Sequence, residues 1–189
     1  MEVDAARLRE TLPHEDRLPH TRLSRLSRQF FSSITAAISW IWILLIAVVV
    51  INVTARYLFG EGRVEFEELQ WHLYAIGFLI ALSTCFDTDD HVRVDVLHAN
   101  LRLRSQAWIE LYGLLLFFLP FVAAVLVFSL PFVSYSFELS EVSDAPGGLP
   151  YRWAIKSVLT ISMVLLLLAG VSRLSRVMSY LFRWPANVR

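Results

Sequence analysis

The residues best spaced for chemistry lie in one short stretch, 87–98 (DTDDHVRVDVLH). On a helix His91, Asp95 and His98 fall at i, i+4 and i+7, so they share a face beside further carboxylates, an arrangement that can hold a metal ion. The plainer reading is an acidic helix start, with Asp89 or Asp90 as N-cap and His–Asp contacts one turn apart. The chain offers no second ligand cluster, so no metal is expected. Haem is the next candidate chemistry, since a membrane redox subunit holds it between paired imidazoles inside its bundle. Only His72 falls in an apolar run, near one end, while His91 and His98 belong to the opposite side. That geometry is poor for a haem. Cys85 is the one cysteine, which excludes an internal disulfide, a CxxC redox pair and a cysteine-built metal site. No cofactor, catalytic group or nucleic-acid partner is expected.

The elements that must position these residues are four apolar runs, 33–55, 69–86, 107–137 and 153–172. About 20 apolar residues cross a bilayer as helix, so the chain reads as an all-α integral membrane protein with four transmembrane helices. An ionisable side chain at a helix centre costs about 2.5 to 3.5 kcal/mol on insertion scales, and pumps or carriers keep one only where it works. The nearest candidates, Glu110, His72 and Lys156, lie within about two turns of a span end, where long side chains reach the headgroups. A self-contained exporter with an intramembrane carboxylate is therefore disfavoured. Apolar residues make up 56% of the chain and the charged 18% collect between the spans. Thirteen basic side chains, from Arg7 to Arg28, at Arg93, Arg102 and Arg104, and from Arg173 to Arg189, share one side. Only Arg56, Arg63, Arg152 and Lys156 face the other. The positive-inside rule then places both termini in the cytoplasm. Residues 1–32 read as a cytoplasmic tail, 33–172 as the membrane domain and 173–189 as a basic cytoplasmic tail. The polar first thirty residues, broken by Pro13 and Pro19, do not resemble a cleavable signal, so the first span is expected to direct insertion.

Between the runs, Arg22, Arg25 and Arg28 recur at three-residue spacing, which suggests a basic helix at the inner leaflet, a contact with membrane lipids. Residues 89–104 suggest a second, cytoplasmic interfacial helix. On the other side, Arg56-Tyr57-Leu58-Phe59-Gly60 anchors the first span, and Glu65, Glu67 and Glu68 open the second, where their charge complements the helix dipole. Arg56 is within reach of Glu67 or Glu68 across that short loop. Gly77, Ala81 and Cys85 form a stripe of small residues at which another helix can pack closely. The third run, about 45 Å long at the helical rise and containing Pro120 and Pro131, is expected to tilt or kink. Glu138, Glu141 and Asp144 lead into Pro146-Gly147-Gly148-Leu149-Pro150 and Arg152, a turn-rich charged loop.

The succession Arg56-Tyr57-Leu58-Phe59-Gly60, Glu67-Glu68-Leu69 and His91-Val92-Arg93-Val94-Asp95 resembles the small, Q-type (DctQ-like) membrane subunit of tripartite ATP-independent periplasmic (TRAP) transporters. Gly147-Gly148-Leu149-Pro150-Tyr151-Arg152-Trp153 looks like the longer-looped branch of that family, and the resemblance covers nearly all of 33–172. It implies a bacterial inner-membrane protein that braces a large elevator-type subunit. The implied system takes up an organic anion, a carboxylate or dicarboxylate, delivered by a periplasmic binding protein and driven by a sodium gradient. Within that frame Arg56, Glu67, Glu68, His91, Arg93 and Asp95 are the expected subunit and rim contacts. Glu138, Glu141, Asp144 and Arg152 are the expected contacts to the binding protein.

Overall fold

The computed structural model describes residues 19, 21–60, 62–89 and 101–183. Four helices carry nearly all of them: α1 (Arg22–Phe59), α2 (Val64–Thr88), α3 (Leu103–Glu138) and α4 (Arg152–Phe182). All four are long and apolar enough to span a membrane, and no strand occurs among the described residues. Each helix outruns its apolar run, because polar residues at the ends continue the backbone ladder. α4, for instance, goes ten residues past Ser172 and carries Arg173 and Arg176 within it.

Local chemistry explains where the helices begin and stop. Thr21 and Ser24 cap α1 reciprocally: the Ser24 N–H donates to Thr21 Oγ1 (3.2 Å) and the Thr21 N–H donates to Ser24 Oγ (2.9 Å). This is a capping box with serine in the usual place of glutamate. The arginine-spaced stretch after Thr21 is therefore helical, and it forms the first turns of α1 rather than a separate element. Glu65 and Glu67 lie in the first turn of α2, where the helix dipole favours a negative charge. All four helices end on a residue with left-handed φ: Gly60 (69°), Asp89 (63°), Ser140 (48°) and Arg183 (56°). That conformation lets the last carbonyls find partners, as when the Glu141 N–H reaches back to the Ser136 carbonyl (3.1 Å).

α3 contains a π-helical turn at Leu114–Phe118, immediately before Pro120. Proline offers no N–H to the preceding turn, so the ladder widens and the Leu119 N–H bonds to the Leu114 carbonyl, five residues back. The sequence suggested a tilt or kink from Pro120 and Pro131; what the structure shows is a π-helical turn next to Pro120. Pro131 stays inside the α-helical part.

The described residues form two compact units. One comprises Ser33–Ser83 and Ala123–Leu165 and holds both described loops, after α1 and after α3. Its helices are joined by small polar side chains. The Ser162 hydroxyl donates to the Leu79 carbonyl (2.6 Å), the Ser83 hydroxyl donates to the Ser162 carbonyl (3.2 Å), and the Thr160 hydroxyl donates to Ser129 Oγ (3.0 Å). Such bonds hold apolar helices together where no hydrophobic force does. The second unit takes in Thr84–Val122 with the described parts of Met1–Ser32 and Leu166–Arg189. Ala107, Leu111, Leu114 and Val177 form its apolar core, with Phe86 stacked on Phe118 at a centroid distance of 4.3 Å.

Candidate functional site

In the loop-bearing unit, two adjacent glutamates at the start of α2 do different work. Arg56 bonds to Glu67, and both side chains are about half exposed. Glu68 instead reaches the loop after α3: its carboxylate accepts the Leu149 N–H (2.5 Å) and the Ser143 hydroxyl. Of the two partners within reach of Arg56 in the sequence, the structure selects Glu67. It also gives Glu68 a task that helix-dipole compensation did not reveal.

The loop that Glu68 grips is closed on itself. The Ser143 N–H donates to the Leu149 carbonyl (3.2 Å), and the Arg152 N–H donates to the Glu141 carbonyl (3.1 Å). Between them the chain turns through Gly147 at a φ of 79°, and Gly148 passes so close to Ser143 that no Cβ fits there. Lys156 bonds to Glu141 and lies 4.3 Å from the centre of the Phe132 ring, a cation–π contact. The Lys156 hydrogen bond holds the Glu141 carboxyl below its ordinary range. Arg152 lies 3.7 Å from Glu141 and 3.9 Å from Asp144. Asp144 is fully exposed, and Glu138, the last residue of α3, is exposed too. Three of the four loop residues singled out in the sequence, Glu141, Asp144 and Arg152, are thus brought together.

In the same unit Gly77 packs against the Trp42 indole of α1, 3.1 Å from where its Cβ would stand. The small-residue stripe therefore has at least one partner within this chain. Ala81 and Cys85 are half-buried. His91, Arg93 and Asp95, with the expected interfacial helix around them, lie outside the described residues.

The second unit contains polar residues that hydropathy did not bring out. Arg173, 3% exposed, is buried between two carboxylates: Nη2 lies 3.1 Å from Asp89 Oδ2, and Nε bonds to Glu110. Glu110 therefore turns into the protein, where the sequence had suggested a side chain reaching for headgroups. Asp87 accepts the Ser27 hydroxyl (2.7 Å), and Thr21 and Ser175 share a hydroxyl hydrogen bond (2.9 Å). The available signal was the spacing of small and polar residues in this part of α4, where Ala169, Ser172 or Arg173, Arg176 and Ser179 recur at three- and four-residue steps, and the structure buries that face.

Residues 45–179 match the family described as "Tripartite ATP-independent periplasmic transporters, DctQ component". The chain belongs to that family. A search of curated proteins found no match. As a DctQ-family chain it is a multi-pass membrane component of a TRAP transporter, a transport part and not an enzyme family. The match extends from the middle of α1 almost to the end of α4 and includes the Glu68-gripped loop and the buried Arg173 group. A haem-binding anchor finds no support in this family, and the His72 Nδ1 lies 2.5 Å from the Glu68 carbonyl oxygen of its own helix.

Proposed function

We propose that this chain is the small permease subunit that braces the large, elevator-type subunit of a TRAP transporter. In this reading the system takes up an organic anion, a carboxylate or dicarboxylate, from a periplasmic binding protein at the expense of a sodium gradient. The chain lies in the bacterial inner membrane with both termini in the cytoplasm, as the thirteen-to-four division of basic residues favours. The observation that carries the reading is the family match over 45–179. A second feature supports it: only 6% of the most apolar window of α1 is buried within the chain, against 28% for α4. A helix so little covered by its own chain is available to a neighbour. A static scaffold of the large subunit is the neighbour that the family implies.

Arg56 and Glu67 then form a rim contact where bilayer gives way to water, while His91, Arg93 and Asp95 serve the cytoplasmic turn. The loop gripped by Glu68 receives the binding protein through Glu138, Glu141, Asp144 and Arg152. Glu141 is engaged by Lys156, so the exposed Glu138 and Asp144 are the better probes. Replacing both by alanine is expected to raise the binding-protein concentration needed for half-maximal uptake, and an unchanged value removes the docking role. The central test is co-purification with a candidate large subunit, followed by uptake assays with each component omitted. A stable complex and uptake that needs all three components is the expected result. Solute movement by this chain alone in vesicles overturns the reading.

A further inference from the structure

The loop between α3 and α4 takes its shape from a helix to which it does not belong. Its neck is the pair Ser143 and Leu149, joined by one backbone bond from the Ser143 N–H to the Leu149 carbonyl (3.2 Å). The Leu149 N–H and the Ser143 hydroxyl both go to Glu68 of α2, one to each carboxylate oxygen: Oε2 accepts the N–H (2.5 Å) and Oε1 the hydroxyl. Inside the neck, the Gly148 N–H donates to the Ala145 carbonyl (2.9 Å), and the Ala145 N–H donates to Ser143 Oγ (3.4 Å). Glu65, one turn earlier on α2, has its Oε1 3.6 Å from where a Gly147 Cβ would lie. Two carboxylates of α2 thus border the loop, while Asp144, Pro146 and Gly147 stay exposed at its tip.

A helix start requires less than this. Glu65 and Glu67 already supply negative charge to the first turn of α2, and Glu67 bonds to Arg56 instead of to the loop. Releasing Glu68 would leave the Leu149 N–H and the Ser143 hydroxyl without their acceptor and the neck with a single backbone bond. A surface that is already ordered meets a partner without the entropy cost that a loose loop incurs. We propose that Glu68 is the positioning residue of the binding-protein seat: by holding Ser143 and Leu149 together, it fixes the loop in the form that the binding protein meets, without touching that protein itself. The inference rests on the reading of this loop as the docking site, and adds to it a residue of α2 that sets the strength of docking.

The test uses the three-component transporter in vesicles and reads two quantities, the deuterium uptake of the segment containing Leu149 and the binding-protein concentration that gives half-maximal uptake of solute. In Glu68→Ala the Leu149 amide is expected to exchange about tenfold faster. Half-saturation is expected to rise about tenfold with it, because a competent form populated about one-tenth of the time binds about tenfold more weakly, while maximal uptake changes less than about twofold. Glu68→Gln is expected to restore most of both, since its amide oxygen accepts the Leu149 N–H and its NH₂ donates to Ser143 Oγ. Should Glu68→Ala fail to assemble, Ser143→Ala, which removes one of the two contacts, decides by smaller shifts in the same directions. Unaltered exchange overturns the proposal. A fall in maximal uptake at unchanged half-saturation marks Glu68 as a structural residue only and overturns it too. Faster exchange with unchanged half-saturation likewise overturns it, and the Glu138→Ala, Asp144→Ala double variant then separates the two ideas. A raised half-saturation in that variant leaves docking standing and removes only the role of Glu68, whereas an unchanged one removes docking as well.

Discussion

The two units hold their charges in opposite ways. In the loop-bearing unit, Arg56 and Glu67 meet about half exposed, and Arg152 lies near an Asp144 that is fully exposed. In the other, Arg173 and Asp89 are 3% and 4% exposed and Glu110 only 14%. Water screens the first set, so each such pair is worth about 0 to 1 kcal/mol. The second set has lost its hydration, and each charge there is tolerable only because the others are present. Ion pairs that look alike in a sequence therefore do different work: the exposed ones are free to serve a neighbour, while the buried ones commit the helices to one arrangement.

Removing Arg173 is the most severe way to probe that contrast. Arg173→Met strands Asp89 and Glu110 without their cation, and a loss of about 3 to 5 kcal/mol is expected, read as a fall in thermal unfolding temperature in detergent. Adding Asp89→Asn and Glu110→Gln to the same chain is expected to recover part of the loss, because no stranded charge remains. If Arg173→Met unfolds like the wild type, the buried group is not cohesive and the contrast fails. Gly170→Ala probes the same unit through packing. A Cβ at Gly170 falls within the edge of the Phe118 ring, which is itself stacked on Phe86. Overpacking of this kind costs about 1 to 3 kcal/mol, which exceeds the gain of up to about 1 kcal/mol from replacing a helical glycine by alanine. Gly77→Ala is the matched control in the loop-bearing unit. The Trp42 ring there stands at 3.1 Å and is 36% exposed, so it has room to yield and the change is expected to be nearly neutral.

Much of this was legible beforehand, for identifiable reasons. Four helices follow from runs of apolar residues, and the π-helical turn in α3 lies next to Pro120, whose missing N–H leaves a gap in the ladder, while Pro131 stays within α-helix. Arg56 and Glu67 were readable as partners because they lie eleven residues apart across a short loop. Arg173 with Asp89 and Glu110 was not, since those contacts span 84 and 63 residues and depend on how three helices align. A hydropathy average places such residues at span ends and cannot say which way they point. Glu68 was hidden for a related reason. Dipole compensation gave it a sufficient role, and nothing in its local sequence indicated that Leu149 and Ser143, 81 and 75 residues away, would close on it.

The smallest expected effect sharpens the comparison most. Arg56→Ala removes a pair that is about half exposed on both sides, so the isolated chain is expected to lose no more than about 1 kcal/mol, within a degree or two of its original unfolding temperature. In the proposed complex the same pair lies at a rim, and a neighbour that covers it removes the water that screens it. The coupling between Arg56 and Glu67 is then expected to be larger in the complex than in the free chain, measured as a double-mutant cycle of Arg56→Ala and Glu67→Ala on co-purification yield and on unfolding. Equal coupling in both states shows that no partner covers this edge and moves the bracing contact to the apolar face of α1.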